Sequence, residues 1–387
     1  MGLTGATLIL TAAALAAAVF PDPVAAADAA PTAGPTAGNA GPGPAAPPVG
    51  APPAPAPGTI RIATWSPDLT RKGPGLLLKD ITSGTDPQVA AAVQVIAAAR
   101  PDLVVLTGFD WDYDGLALSA FARLLDEAGA IFPHRHASRP NSGMASGLDL
   151  DGDGRRGTAD DAQGFGLFAG QGGMAILSRL PLGEVTDHSA ALWRDLAGNL
   201  MPPAAPEVAG VQRLSSVAHW QVPVRTPAGE LTVMAWSATP PVFDGPEDRN
   251  GRRNHDEAAF WLDRLPPDRF VLIGDANLDP VDGDGRPDAL RALIARTQDP
   301  EPRSPGAAAA PQDGANATHQ GDPALDTADW PDADGPGNLR VDMVLPSTDL
   351  TVTGSGVLWP APDDPLANTV AAASRHRLVW IDLEIAP

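Results

Sequence analysis

Between Thr59 and Ile385 the sequence alternates short apolar runs with longer segments of helical spacing, and this alternation limits the fold more than any single motif. The runs are Thr59–Trp65, Leu103–Leu106, Gly173–Ser178, Val217–Val224, Leu231–Trp236, Phe270–Gly274, Val341–Leu345, Leu350–Leu358 and Arg377–Ile385. They are apolar and rich in β-branched residues, and turn-forming residues flank most of them, which marks strands. Pro227-Ala228-Gly229 separates two of them and predicts a hairpin. Helical spacing runs over Asp86–Arg100, with Asp86 at the cap and Pro87 in the first turn, and over Asp114–Ala128, Arg253–Leu265 and Asp288–Ala295. Strands with hairpins, interrupted by helices, predict an α/β fold of two packed, mainly antiparallel sheets with helices outside. The Pro/Gly/Asp-rich stretch Gln298–Leu339 is expected to be a functional or mobile loop.

One of these strands ends in residues that carry chemistry. Phe270–Pro280 reads FVLIGDANLDP, and Asp275 and Asn277 stand two apart, on one side of an extended chain. A carboxylate and an amide at the carboxyl end of a buried strand suit metal-assisted phosphoester chemistry: one holds a hard cation, the other orients a phosphoryl oxygen. The same residue types are favoured in a turn after a strand, and spacing alone leaves both readings open.

Composition sets the outer limits. Pro 43 and Gly 40 exceed a fifth of the 387 residues, so much of the chain is loop or linker. With no cysteine there is neither a disulfide nor a thiolate metal site. A net charge of −21 argues against broad electrostatic binding to duplex nucleic acid. Leu8–Phe20 is apolar, Pro21 and Pro23 follow it, and Ala25-Ala26-Ala27 offers a small-residue cleavage site. Residues 1–27 therefore read as a signal peptide for export, periplasmic or secreted, although Met1–Thr7 carries no Lys or Arg. No segment is suited to span a bilayer. Residues 28–58, almost wholly Ala, Pro and Gly, are expected to form a disordered tether, and residues 59–387 one folded domain, expected to be a monomer.

Taken together, the ordered blocks IRIATWS, RPDLVVLTGFD, GGMAILSRLPL, HWQVPV, GDANLDP, RVDMVLPS and SRHRLVWIDLEI resemble the endonuclease/exonuclease/phosphatase superfamily of metal-dependent phosphoesterases. SGLDLDGDGRRGTADDAQGFG, TPPVFDGPEDRNGRRNHDE and GDPALDTADWPDADGPGNLRVD resemble an exported bacterial branch of it. The resemblance implies a four-layer α/β sandwich with the site at one end of two sheets, and Mg²⁺ or Mn²⁺ as cofactor. It assigns Asp275 and Asn277 to the Asp-x-Asn motif, His376 to the general base and Asp342 to the carboxylate that orients it.

Four other family positions are changed. Ser66 replaces an asparagine, Gly108 the metal-holding glutamate, Ser237 a second histidine and Arg375 the aspartate before the last histidine. Losing a principal carboxylate ligand and reversing a neighbouring charge imply that catalysis is lost or weakened. Alternatively the chain is an active phosphoesterase using His376, Asp342, Asp275 and Asn277. In that case Asp110, two residues after Gly108, and Asp68, two after Ser66, supply substitute metal ligands, and Arg375 holds phosphate through its planar fork. The expected ligand is a small phosphoester or a lipid head group.

Two further segments stand out. Asp149, Asp151, Asp153 and Asp160 fall at positions one, three, five and twelve of a calcium-loop spacing, with Gly154 at six, which predicts a Ca²⁺ site outside an EF-hand. An acidic, glycine-rich turn has the same composition. In Phe243–Glu257, Arg249, Arg252, Arg253 and His255 either line a pocket for an anionic substrate or form an ion-paired cap on the following helix.

Overall fold

The structure is a computed structural model, and the residues it describes are 50–385. The expected signal peptide and residues 28–49 of the expected tether lie outside them. The strands are β1 (Thr59–Trp65), β2 (Leu103–Phe109), β3 (His134–His136), β4 (Gly173–Ser178), β5 (Thr186–Asp187), β6 (Ala218–Thr226), β7 (Gly229–Ser237), β8 (Phe270–Asp275), β9 (Ala328–Asp329), β10 (Asn338–Leu339), β11 (Asp342–Pro346), β12 (Val352–Leu358) and β13 (Leu378–Glu384). They form a six-stranded sheet, β12-β13-β1-β2-β4-β3, a five-stranded sheet, β11-β8-β7-β6-β5, and the small pair β10-β9. Most pairings are antiparallel; β1–β2 and β7–β8 are parallel.

Strand alternation builds the layers. Ile60 and Ile62 of β1 and Leu103 and Val105 of β2 face the second sheet, where they meet Val271 and Ile273 of β8 and Val233 of β7. The intervening residues Ala63, Trp65, Val104 and Leu106 face outward, onto the helices Leu76–Ser83, Pro87–Ala99, Leu116–Glu127 and Ala367–Ala373. Phe270 and Leu272 of β8 face the opposite outside, onto the helices Arg249–Leu262 and Asp288–Arg296. The order is helix, sheet, sheet, helix, with a dry core between the sheets. A fully buried side chain of this size contributes about 1.5–3 kcal/mol.

Local signals explain several boundaries. Asp86 caps the helix Pro87–Ala99 by accepting from the Val89 N–H at 2.8 Å, and Pro87 occupies the first helical position. Thr226 pairs with Gly229, so Pro227-Ala228 is a two-residue hairpin loop between β6 and β7.

Residues 50–58 depart from the expected tether. The Arg61 guanidinium, fully buried, donates to Pro53 O at 2.9 Å, and Arg100 donates to Pro52 O at 2.7 Å. Arg61 also grips Asp382 through two bonds of 2.7 and 2.8 Å and stacks on Trp380 at 3.9 Å. Proline-rich chain leaves backbone carbonyls without local partners, and two arginines take them up. Among the described residues no helix is long and apolar enough to cross a membrane.

Candidate active site

Two carboxylates meet at the end of the second sheet. β8 ends at Asp275 and β11 begins at Asp342, and these are direct antiparallel partners in the ladder. Directly paired residues project to the same face, so the side chains emerge together. Gly274 makes the approach possible: its φ is +147°, and a Cβ there would lie 1.8 Å from Trp236 O on β7. His376 stands two residues before β13 of the six-stranded sheet. Its carbonyl accepts from Trp65 Nε1 at 3.0 Å, and its N–H donates to Ser374 Oγ at 3.0 Å.

His376 Nδ1 lies 2.9 Å from Asp342 Oδ2. A carboxylate partner requires the proton on Nδ1, which leaves the Nε2 lone pair available in the neutral ring. Thr327 Oγ1 donates to the same Asp342 Oδ2 at 2.9 Å and accepts from the N–H groups of Val341 and Asp342, each at 3.0 Å. Asp342 Oδ1 is buried and has no hydrogen-bond partner among the described residues. Asp275 accepts from Asn277 twice, from its N–H at 2.8 Å and its Nδ2 at 3.1 Å. Asn277 reaches it by adopting φ +49°. Its amide group also donates to Ala238 O at 2.8 Å, so Asn277 positions Asp275 and leaves its own Oδ1 uncommitted.

Charge is concentrated here. Ligand atoms of Asp275, Asp342 and His376 lie within 4.8 Å of one another. Burial pushes the Asp275 carboxyl up to about 7, against the pull of the His376 imidazole. Burial pulls His376 down, but the Asp342 carboxylate, its hydrogen bond, and the charges of Asp275 and Asp68 outweigh it and raise the imidazole to about 10. Three carboxylates thus act on one imidazole.

The two candidate substitute ligands differ. Asp68 stands beside the cluster but outside its 4.8 Å group: with φ +52° its Oδ2 lies 3.0 Å from Ser374 Oγ, and its charge acts on both Asp275 and His376. Asp110 does not join it. It accepts from Thr70 Oγ1 at 2.8 Å, Arg71 N at 2.8 Å and Gly172 N at 2.9 Å, so its carboxylate ties loops together instead of replacing the glutamate. Extrapolating a straight strand past Gly108 fails because Gly108 has φ +58° and turns the chain. A Cβ on Gly108 would lie 2.8 Å from Ser66 Oγ, so that hydroxyl would have to turn away. Ser237 is buried beside Asp275 in the β7–β8 register. Arg375 is exposed, and among the described residues its guanidinium has no hydrogen bond or ion pair.

The arginine-rich segment serves the framework. The helix begins at Arg249, earlier than the spacing suggested, and places Arg253 on its buried face, with Arg249, Arg252 and His255 half-buried. Arg253 is buried and donates to the carbonyls of Leu214 at 2.8 Å, Arg213 at 3.0 Å and Ser215 at 3.1 Å. Arg249 donates to Leu150 O at 3.0 Å, and His255 Nδ1 pairs with Asp256 at 2.9 Å. None of these bonds reaches Asp275, Asp342 or His376, which corrects the expected substrate pocket. Glu257 lies in the same buried network, accepting from Ser216 N at 2.6 Å and Thr239 N at 2.8 Å, and burial pushes its carboxyl up to about 7.

In the acidic loop, Asp149, Asp151 and Asp153 bring oxygens within 4.8 Å of one another. Asp160 is exposed and outside that group. Its neighbour Asp161 takes the buried position, accepting from Leu150 N at 2.7 Å and Thr158 N at 3.1 Å. The loop therefore closes one residue later than the calcium-loop spacing places it.

Sequence reasoning missed Thr327, Ser374 and Trp330, whose indole packs on His376 with centroids 5.3 Å apart. Thr327 and Trp330 lie far from the motifs they support, while Ser374 stands inside the SRHRLVWIDLEI block, where no spacing sets it apart.

Comparison with known proteins gives one family. The model of the Endonuclease/Exonuclease/phosphatase family matches residues 81–376. No curated protein matches the chain. An endonuclease/exonuclease/phosphatase from Beutenbergia cavernae DSM 12333 is 20% identical over 84% of this chain and 71% of its own, with a TM-score of 0.51, and shares the fold. A family protein from Leptotrichia buccalis C-1013-b aligns over 84% and 99% at 14% identity with a TM-score of 0.46. Sphingomyelinase C from Streptomyces griseocarneus aligns over 84% and 99% at 13% identity with a TM-score of 0.43.

Proposed function

The chain belongs to the endonuclease/exonuclease/phosphatase family, and on that premise we propose that it is a divalent-cation-assisted phosphoester hydrolase of reduced rate. The observation that carries this is the buried, unpartnered Oδ1 of Asp342 among Asp68, Asp275 and His376. A buried carboxylate oxygen without a partner is costly, and a cation removes that cost. The donor set is oxygen-rich and suits Mg²⁺ or Mn²⁺. Asp275 and Asp342 Oδ1 would hold the ion, with the Asp68 charge nearby. When bound, it supplies positive charge to phosphoryl oxygens.

The chain's own residues do the rest. Asp342 fixes the His376 tautomer, and Thr327 fixes Asp342. His376 Nε2 takes a proton from the attacking water in the neutral form of the ring, a minor form near pH 7 because the surrounding carboxylates raise the imidazole to about 10, which lowers the rate further. Asn277 holds Asp275 in place. Arg375 offers its free fork to a substrate phosphate. The rate is reduced because Gly108 contributes no ligand and Asp110 is engaged elsewhere.

The net charge of −21 favours a small phosphoester or lipid head group over duplex DNA. Export through residues 1–27 and Ca²⁺ at the Asp149–Asp153 loop belong to the same proposal. Calcium there predicts a rise in Tm on adding Ca²⁺ that Asp151→Asn abolishes.

A second reading, a phosphate-binding scaffold without turnover, is favoured by the left-handed backbone at Gly108, where no side chain supplies a ligand. Hydrolysis of bis(p-nitrophenyl) phosphate with Mn²⁺ separates the two. The hydrolase requires turnover that is lost in His376→Ala; no turnover, with phosphate still bound, selects the scaffold.

A further inference from the structure

The long segment between Gln298 and Leu339, expected as a functional or mobile loop, is fastened to the residues around His376. Ala328 forms an antiparallel bridge with His376. Arg377 N donates to Thr327 O at 2.7 Å, and Asp329 N donates to Arg375 O at 3.1 Å. The Arg377 side chain closes the clasp on Asp329 at 2.8 Å. Behind it, β9 pairs with β10, with Ala328 opposite Leu339. The next residue, Trp330, is half-buried and stands against the His376 imidazole at 84°, with centroids 5.3 Å apart.

This contact answers a mechanical need. One hydrogen bond, from Nδ1 to Asp342, fixes a single point of the ring. The imidazole can still swing about that bond, and a swing moves Nε2 furthest. A second, lateral contact is needed to fix the plane. A perpendicular aromatic pair at this separation is a favourable geometry with a defined orientation. We propose that Trp330 is a positioning residue: it fixes the plane of the His376 ring and so the direction of Nε2. The clasp 327–330 fixes the indole in turn. The catalytic part of this inference rests on the hydrolase reading above; the positional part does not.

Trp330→Ala and Trp330→Phe test it with two readouts. The first is the ¹⁵N-resolved imidazole spectrum of His376, which needs no turnover. Trp330→Ala is expected to broaden or split the His376 signals while the amide spectrum elsewhere is kept, and Trp330→Phe to restore one sharp set. The second is hydrolysis of bis(p-nitrophenyl) phosphate with Mn²⁺. Trp330→Ala is expected to lower kcat about tenfold with KM within twofold, inside the roughly hundredfold range that an ångström of misplacement produces, and Trp330→Phe to recover most of it. An unchanged His376 spectrum in Trp330→Ala overturns the proposal, whatever the activity. Equal damage from Phe and Ala overturns it too, since an aromatic ring in perpendicular contact would then not be what matters. A wild type without turnover that still shows the spectral change defeats the hydrolase reading and leaves the positional role standing.

Discussion

Replacing Thr327 by Val keeps the shape of the side chain and removes one oxygen, and that oxygen takes part in three hydrogen bonds. It donates to Asp342 Oδ2 at 2.9 Å and accepts from Val341 N and Asp342 N at 3.0 Å each. All of these groups are buried. A hydrogen bond to a charged group contributes about 1.5–3 kcal/mol, and a buried donor left without a partner costs about 1–3 kcal/mol. Asp342 Oδ1 already lacks a partner, so the carboxylate cannot compensate by turning to an existing one. Partial relaxation and water entry reduce the sum, and the expected loss is about 3–4 kcal/mol, a large share of the stability of an ordinary domain. Urea unfolding followed by tryptophan fluorescence measures it, with an unchanged m-value showing that the same transition is observed. Thr327→Ser keeps the oxygen and should cost less than about 1.5 kcal/mol, from the lost methyl. A Thr327→Val loss below about 1 kcal/mol, or a Ser variant as damaged as Val, refutes the assignment of Thr327 as the anchor of Asp342.

Other consequences follow from single residues. His219 is buried among Trp236, Phe260 and Trp261, and burial pulls its imidazole down to about 4. It is therefore neutral in the fold and titrates near 6.5 when unfolded. Its contribution is complete above about pH 6.5 and is lost as the pH falls toward 4, about 3 kcal/mol in all; the urea midpoint of His219→Phe should show a correspondingly shallower slope across that window, and an unchanged slope contradicts the assignment. Gly108→Glu restores a family carboxylate on paper, but φ +58° and Ser66 Oγ at 2.8 Å from the new Cβ oppose it. It should lower stability by roughly 1–2 kcal/mol for the left-handed backbone alone and leave hydrolysis unimproved; a tenfold gain in rate shows the space to be open.

The layers were legible because alternation within β1, β2 and β8 separates an inner from an outer face, and two faces per strand require two cores. The Asp86 cap was legible for a similarly local reason, whereas Asp275 and Asn277 do not share an extended chain: β8 ends at Asp275, and Asn277, at φ +49°, bonds back to it in the turn that the residue types also allowed. What sequence did not show was long-range. Residues 50–58 look like linker because they are proline-rich, yet Arg61 and Arg100 bind their carbonyls. Arg253 looks like a surface charge until the helix is seen to begin at Arg249. Asp110 looked like a substitute ligand only while β2 was taken as straight through Gly108. The short helix Ala367–Ala373 was missed as well, because its few apolar positions do not establish a period.

The central claim is that the Asp275 end of the sheets is a working cation site. Mn²⁺ titration by isothermal calorimetry of the wild type, Asp275→Asn and Asp151→Asn tests it most directly. The account predicts a binding event lost in Asp275→Asn and kept in Asp151→Asn. Mn²⁺ binding that is indifferent to Asp275→Asn, or absent from the wild type, contradicts it.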